Sequence, residues 1–222
     1  MHREVPVINI INSLKVHKLR KNAALLVASI TAMLCLVACG SDPELKTLGH
    51  TDTILAFGDS LTAGLGVSAH KAYPDVLQAL SDRSVFNAGV SGELTEEGLK
   101  RLPGLLDKHD PQLVILLEGG NDILQNRSLA ATKANLSAMI DLIKAQERDV
   151  ILVGVPTKSL FAGTAKLYVE LAKEHQIPLE KDIIGSLLKQ SSMKSDSVHF
   201  NRGGYSALAE TLLGVLQNHG AL

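Results

Sequence analysis

Tryptophan is absent from this chain, and tyrosine and phenylalanine together supply only 3% of it. Single-stranded nucleic acid is gripped on flat aromatic platforms, so that class of partner is not expected. Charge of one sign is lacking too. The 22 Lys and Arg are matched by 23 Asp and Glu, and no basic block stands out, which removes the electrostatic footprint of a nucleic-acid binder. Cysteine is nearly missing: Cys35 and Cys39 are the only two, both near the N-terminus. That leaves neither a disulfide framework nor a cysteine spacing for a metal. A long apolar run is missing as well, since residues 23–38 fall short of the roughly 20 that a bilayer-spanning helix needs.

What is present begins with that shorter run. Lys15, Lys18, Arg20 and Lys21 precede it, and it ends Leu36-Val37-Ala38-Cys39. A basic segment, a short apolar core and small residues before the end describe a targeting signal. The small residues before Cys39 resemble the lipobox of bacterial lipoproteins. That resemblance implies cleavage after residue 38 and a lipid on Cys39, which would then be the one cysteine left. A plain signal peptide and an uncleaved anchor remain alternatives. Residue 40 is Gly, not the Asp that often retains such proteins at the inner membrane, so outer-membrane placement is the expectation if the cell has two membranes. Residues 39–52 are mostly polar, with Pro43 and Gly49, and read as a tether. The expected organisation is a signal over 1–38, a lipidated tether over 39–52 and one folded domain over 53–222.

Within 53–222, strand and helix patterns alternate. Ile54-Leu55-Ala56-Phe57 runs straight into Gly58-Asp59-Ser60, the pattern of a buried parallel strand leaving its sheet. Further strands are expected at 85–86, 113–117 and 150–155, with at most a brief one at 177–179. Helices are expected at 73–80, 94–108, 129–146, 160–175, 183–189 and 204–217. Over 94–108, Leu99, Leu102, Leu105 and Leu106 share one face, and Pro103 should kink or split the helix. Such alternation predicts an α/β fold with right-handed crossovers and helices on both faces of a parallel sheet. The loops at the carboxyl edge of such a sheet are where ligands bind, and Ser60, Gly92, Asn121 and His199 all fall on those loops.

Ser60 needs a base. Of eight histidines, His2 and His17 lie in the leader, His50 in the tether, and His109, His175 and His219 at helix ends. His70 is a competitor on a nearby loop. His199 stands apart because Asp196 lies three residues before it. At that spacing in a turn, the Asp can accept from Nδ1 and leave Nε2 free to take a proton from a serine; a surface Asp–His pair is the alternative. Acyl chemistry also needs donors for an oxyanion. Gly92 offers an unobstructed N–H, Asn121 an amide after Gly119-Gly120, and Ser60 its own N–H; a turn at Gly92 and a helix cap at Asn121 are the competing roles. Asp59 reads as a loop tie, and no third ligand joins Asp59 and His199, so no metal is expected.

Gly58-Asp59-Ser60-Leu61, the Asn87 to Gly92 block, Gly119-Gly120-Asn121-Asp122 and the Asp196 to His199 block stand in the order and spacing of the SGNH (GDSL) hydrolases. The resemblance spans nearly the whole domain and is closest to the thioesterase I, lysophospholipase L1 and arylesterase branch. It implies a three-layer α/β/α sandwich with a flavodoxin-like parallel sheet. It further implies a cofactor-free serine esterase with Ser60 as nucleophile, His199 as base, Asp196 as its orienting carboxylate, and an oxyanion hole of Ser60, Gly92 and Asn121. The chain departs from the family pattern in its last block, where Ser197 and Phe200 replace the usual Gly and Pro. Expected substrates are small acyl esters, thioesters or lipids, with residues 123–127 and 157–163 lining the acyl groove. The expected state is a monomer held to the membrane through Cys39, on the periplasmic side in a Gram-negative cell. Rival readings are an envelope carbohydrate O-deacetylase using the same residues and a non-catalytic lipid-binding lipoprotein.

Overall fold

The computed structural model describes residues 43–158 and 163–222. The leader, Cys35 and Cys39 lie outside the described residues. So does part of the span expected to begin a helix at 160.

Five parallel strands form one sheet in the order β2-β1-β3-β4-β5. They are β1 (Thr53–Gly58), β2 (Ser84–Gly89), β3 (Leu113–Leu117), β4 (Asp149–Val153) and β5 (Leu179–Glu180). The three central strands are those with unbroken aliphatic runs, and their apolar residues are buried on both faces. Edge strand β2 is less buried: only Val85 and Ala88, on opposite faces, are buried, while Phe86 is exposed and stacks on the His109 ring. The registers Gly58↔Gly89 and Gly58↔Leu117 bring the ends of β1, β2 and β3 to one edge.

The helices are α1 (Ser60–Ala63), α2 (Tyr73–Ser81), α3 (Thr95–His109), α4 (Gly120–Leu124), α5 (Leu129–Ala145), α6 (Lys166–His175), α7 (Ile183–Leu188) and α8 (Arg202–Asn218). The strand order sorts the crossover helices. The step from β1 to β2 runs outward and the step from β2 to β3 runs back across β1. Right-handed crossovers in opposite directions put α2 and α3 on opposite faces. The steps to β4 and β5 continue in the second direction, so α5 and α6 join α3, and α8 packs on α2. The α/β sandwich inferred from the alternation is therefore the architecture found, with the flavodoxin-like strand order.

Three local expectations need correction. Pro103 does not split α3, which runs as one helix through it. Leu102 and Leu106 on either side are fully buried, and their packing outweighs the one hydrogen bond that a proline removes. Helix α6 starts only at Lys166. Ahead of it Thr164 bridges Pro156 and the Ala165 N–H donates to Val155 O at 2.9 Å. The described part of the tether, residues 43–52, is not free. Leu45 and Leu48 are buried, and their N–H groups donate to His219 O (2.8 Å) and Ala221 O (2.9 Å). Lys46 N–H donates to Asp149 Oδ2 at 2.6 Å. Asp149 opens β4, so this strap lies along the amino edge of the sheet, opposite Ser60. Among the described residues no helix is long and apolar enough to cross a membrane.

Candidate active site

Ser60 is placed by the abrupt end of β1. A Cβ on Gly58 would strike the Leu117 carbonyl and the Thr62 hydroxyl, so this glycine is needed for room and not for a turn conformation. Asp59 caps α1: its Oδ1 accepts the Leu61 N–H at 2.9 Å. The chain thereby turns within one residue, and Ser60 opens the helix at the carboxyl edge of the sheet.

His199 arrives from the other end of the sequence. Its loop is tied down on both sides. Ser195 N–H donates to His199 O (3.0 Å), Asn201 N–H donates to Met193 O (3.0 Å), and the Asn201 side chain caps α8 through the Gly203 and Gly204 N–H groups. Phe200, where the family usually has proline, is fully buried edge-on to Tyr205. Ser197, in the usual glycine position, avoids positive φ, so the turn closes without strain. Asp196 Oδ1 accepts the N–H groups of Val198 (2.9 Å) and His199 (2.8 Å), and Oδ2 lies 2.7 Å from His199 Nδ1. The Val198 N–H and then the His199 side chain hold the Asp196 carboxyl down at about 2. An ionised carboxylate only accepts, so the Nδ1 proton of His199 donates to it. The bare Nε2 faces Ser60 Oγ at 3.0 Å and accepts from the hydroxyl. The expected trio is thus assembled from residues 139 positions apart.

The candidate oxyanion donors come from the ends of β2 and β3. Gly92 has φ +84°, open space where a Cβ would stand, and an N–H with no acceptor among the described residues. The Ser60 N–H is likewise without one. Asn121 sits inside α4, whose cap is Gly119 at φ +97°, so Asn121 is not the helix cap. Its Nδ2 donates to Glu93 O at 2.9 Å and lies 3.5 Å from Asp59 Oδ2. The short bond to the Glu93 carbonyl fixes the amide plane, the contact to Asp59 is long, and the amide lines the same cleft as Ser60.

Behind this edge lies a cluster of buried acids that local sequence patterns did not reveal. Asp59, Glu93, Glu118 and Asp122 are all buried. Burial pushes Asp59 up to about 6, against the pull of the Leu61 N–H and of His199. Burial, and then the charge of Asp59, push Glu118 well above the ordinary carboxyl range. Its Oε2 accepts the Gly119 N–H (3.0 Å), while Oε1 has no partner among the described residues. Asp122 accepts from the Thr95 N–H, the Thr95 hydroxyl and the Thr132 hydroxyl. Glu93 pairs with Arg101.

Ser60, Asn121 and His199 open on a cleft of about 400 Å3 with mainly apolar walls, among them Ile123, Leu124, Val155, Ile184, Leu188 and Val198. The expected groove segments contribute Ile123, Leu124, Thr157 and Lys158, whereas the α7 residues Ile184 and Leu188 were not foreseen. Only their helical spacing hinted at a buried face. His70 pairs with Asp75 on the surface (3.4 Å) and is not part of the cleft wall. A second Ser–His–Asp group exists between α5 and α6, where Ser137 Oγ is 2.8 Å from His175 Nε2 and His175 Nδ1 is 3.5 Å from Asp141 Oδ1. It ties α5 to α6, and none of its three residues lines the cleft at Ser60.

Residues 56–207 match the GDSL-like lipase/acylhydrolase family. The chain belongs to that family. It is 33% identical over 174 residues to the thioesterase 1/protease 1/lysophospholipase L1 of Escherichia coli (strain K12), covering 75% of this chain and 84% of the relative. It is 30% identical over 202 residues to the arylesterase of Vibrio mimicus, covering 86% and 97%. The fold is shared with the solved psychrotrophic esterase EstA from Pseudoalteromonas sp., at TM-score 0.69 and 22% identity over 75% of this chain and 97% of that one. This family member is a serine esterase, a hydrolase acting on ester bonds.

Proposed function

We propose that this esterase works through an acyl-enzyme on Ser60 and takes esters or thioesters with an aliphatic acyl chain. The carrying observation is the hydrogen-bonded line Ser60–His199–Asp196 at the mouth of the apolar cleft. His199 Nε2 takes the Ser60 proton as Oγ bonds to the carbonyl carbon. Asp196 steadies the imidazolium that forms. The N–H groups of Ser60 and Gly92 and the Asn121 amide meet the oxyanion. Collapse breaks the bond to the leaving oxygen or sulfur, which receives the proton from His199. Water then repeats the sequence in reverse, with His199 as base, and frees the acid and Ser60.

The likeness to proteins named for thioesterase, lysophospholipase and arylesterase activity supports that substrate range. The cleft offers more aliphatic wall than an acetyl group needs, which favours longer acyl esters over acetylated glycans. A fluorophosphonate should label wild type and not Ser60→Ala, even though Ser137 keeps its His–Asp neighbours. A panel of acyl esters of rising chain length beside acetylated glycans fixes the preference; faster turnover of the glycans would make the deacetylase reading correct. His199→Ala should nearly abolish turnover while His70→Ala should not.

The proposal extends to location: Cys39 carries lipid and holds a monomeric enzyme at the envelope membrane. Support comes from Leu36-Val37-Ala38-Cys39 after a basic segment and from a site completed within one chain. Cys39→Ser should lose acyl label and membrane fractionation, while a chain begun at Ser41 stays soluble and active. A wild type without acyl label overturns the anchor, and a dimer in sedimentation overturns the monomer.

A further inference from the structure

Arg101 lies in the middle of α3, yet its side chain reaches the edge where the site is built. Nε donates to Glu93 Oε1 and Nη2 to Glu93 Oε2, each at 2.6 Å. The same Nη2 donates to Ala88 O at 2.8 Å and faces Gly58 O at 3.4 Å. The guanidinium carbon stands 4.1 Å from the centre of the Phe57 ring. The Glu93 side chain is 4% exposed and that of Arg101 25%, so water competes little for the pair. A planar fork that grips both carboxylate oxygens, stacks on a ring and still reaches two carbonyls fixes position as well as charge. A lysine ammonium cannot reproduce that geometry.

The partners of this fork adjoin two of the three donors in the chain and hold the third by a hydrogen bond. Gly58 lies two residues before Ser60, at the end of β1. Glu93 directly follows Gly92. The Glu93 carbonyl is also the acceptor that fixes the Asn121 amide at 2.9 Å. Val90 N–H, from the same loop as Gly92, donates to Gly58 O at 2.9 Å. One side chain therefore ties together the ends of β1 and β2 and the loop that positions both Gly92 and Asn121.

We propose that Arg101 is the positioning residue of the oxyanion hole, holding the Gly92 N–H and the Asn121 amide in register through Glu93. The proposal rests on the reading of Gly92 and Asn121 as donors. Donors stabilise a developing charge best when they need no rearrangement during the reaction, and a displacement of about 1 Å can cost on the order of 10²-fold in rate. The Glu93–Arg101 pair adds a side-chain clamp to the backbone bonds that Val90 makes with Gly58 O and the Glu93 N–H.

The test measures kcat, KM and unfolding for Arg101→Lys, Arg101→Gln, Asn121→Ala and the Arg101→Gln/Asn121→Ala pair, below the melting range of each. Arg101→Gln should lower kcat by about 10²-fold with KM within roughly threefold. Arg101→Lys, which keeps the charge but not the fork, should also lower kcat and provides the reading if the Gln variant does not fold. In the Asn121→Ala background the loss from Arg101→Gln should shrink, because part of what Arg101 positions has gone. A merely structural ion pair would lower the melting temperature and leave kcat of the folded protein unchanged, and that result overturns the proposal. Full additivity of the two losses overturns it as well. If Asn121→Ala itself leaves kcat intact, the oxyanion-hole reading fails and takes this inference with it. If Asn121→Ala is slow and both Arg101 variants are normal, only the inference fails.

Discussion

Asn121 and Asp59 lie within reach of each other, and their chemistry differs because one can donate and the other, when ionised, cannot. Removing one oxyanion donor typically costs about 10²–10³-fold in kcat. Asn121→Ala should fall in that range with KM little changed, since the interaction exists only in the transition state. Asn121→Asp should be no better. A carboxylate there would repel the oxyanion, and it would face the Glu93 carbonyl and Asp59 Oδ2. Because Gly119 is the cap of α4, the Asp variant has no capping role to fall back on. Near-normal turnover in Asn121→Asp would remove Asn121 from the hole.

Asp59 makes a separate prediction about pH. Its folded carboxyl sits at about 6 against an ordinary 3.8, chiefly through burial. Between those values the folded chain keeps a proton that the unfolded chain has lost. Stability from this group is therefore complete below the ordinary value and disappears as pH rises through about 6. Asp196 has the opposite sign: held at about 2, it contributes above the ordinary 3.8 and is lost as pH falls toward 2. Asp59→Asn keeps an N-cap side chain and removes the first effect. Melting curves at pH 4 and pH 8 should show the variant gaining on wild type at the higher pH. An equal difference at both pH values would show that Asp59 does not titrate in the fold.

At the scale of elements, the strand ends depend on glycines for two different reasons. A Cβ on Gly89 would press into the backbone of α1, 2.6 Å from the Thr62 carbonyl carbon and the Ala63 Cα. Gly92 has open space but a φ of +84°. Gly89→Ala should destabilise by about 1–3 kcal/mol through overpacking. Gly92→Ala should cost roughly 1 kcal/mol for the left-handed backbone, yet lower kcat as its N–H turns away from the carbonyl oxygen. Thermal melts and kcat on the two variants separate these effects. The proposal loses Gly92 as a donor if Gly92→Ala keeps full turnover.

At the scale of the whole molecule, the strap along the amino edge joins the start of the domain to its end. Beyond Leu45 and Leu48, Thr47 Oγ1 donates to Gly220 O at 3.0 Å and His219 Nδ1 donates to Pro43 O at 2.6 Å. Burying a leucine side chain is worth roughly 1.5–3 kcal/mol. A chain begun at residue 50 should therefore lose a few kcal/mol relative to one begun at residue 43, with kcat unchanged at temperatures where it is folded. Equal urea midpoints for the two chains would show that the strap is only laid on the surface. The strap and the catalytic cleft occupy opposite edges of the sheet, so stability at one edge and chemistry at the other should vary independently.

The sequence by itself determined the elements whose signal is local. The unbroken aliphatic runs of β1, β3 and β4, the leucine face of α3, and the apolar spacing of α5 can only be satisfied by burial. The Asp196–His199 spacing is three residues long and closes within one turn. The strand-end blocks give the family and with it the fold and the reaction class. Helices α1 and α4 escaped notice because four or five residues are too few to show a period. Tertiary structure decided whatever depends on residues far apart in the chain. It put His199 against Ser60, sent Arg101 from α3 to Glu93, lined the cleft with Ile184 and Leu188, and turned the first stretch of the domain from tether into strap. Leu45 and Leu48 are too sparse among polar neighbours to form a pattern; their burial depends on a groove that exists only once β4 and the end of α8 lie side by side.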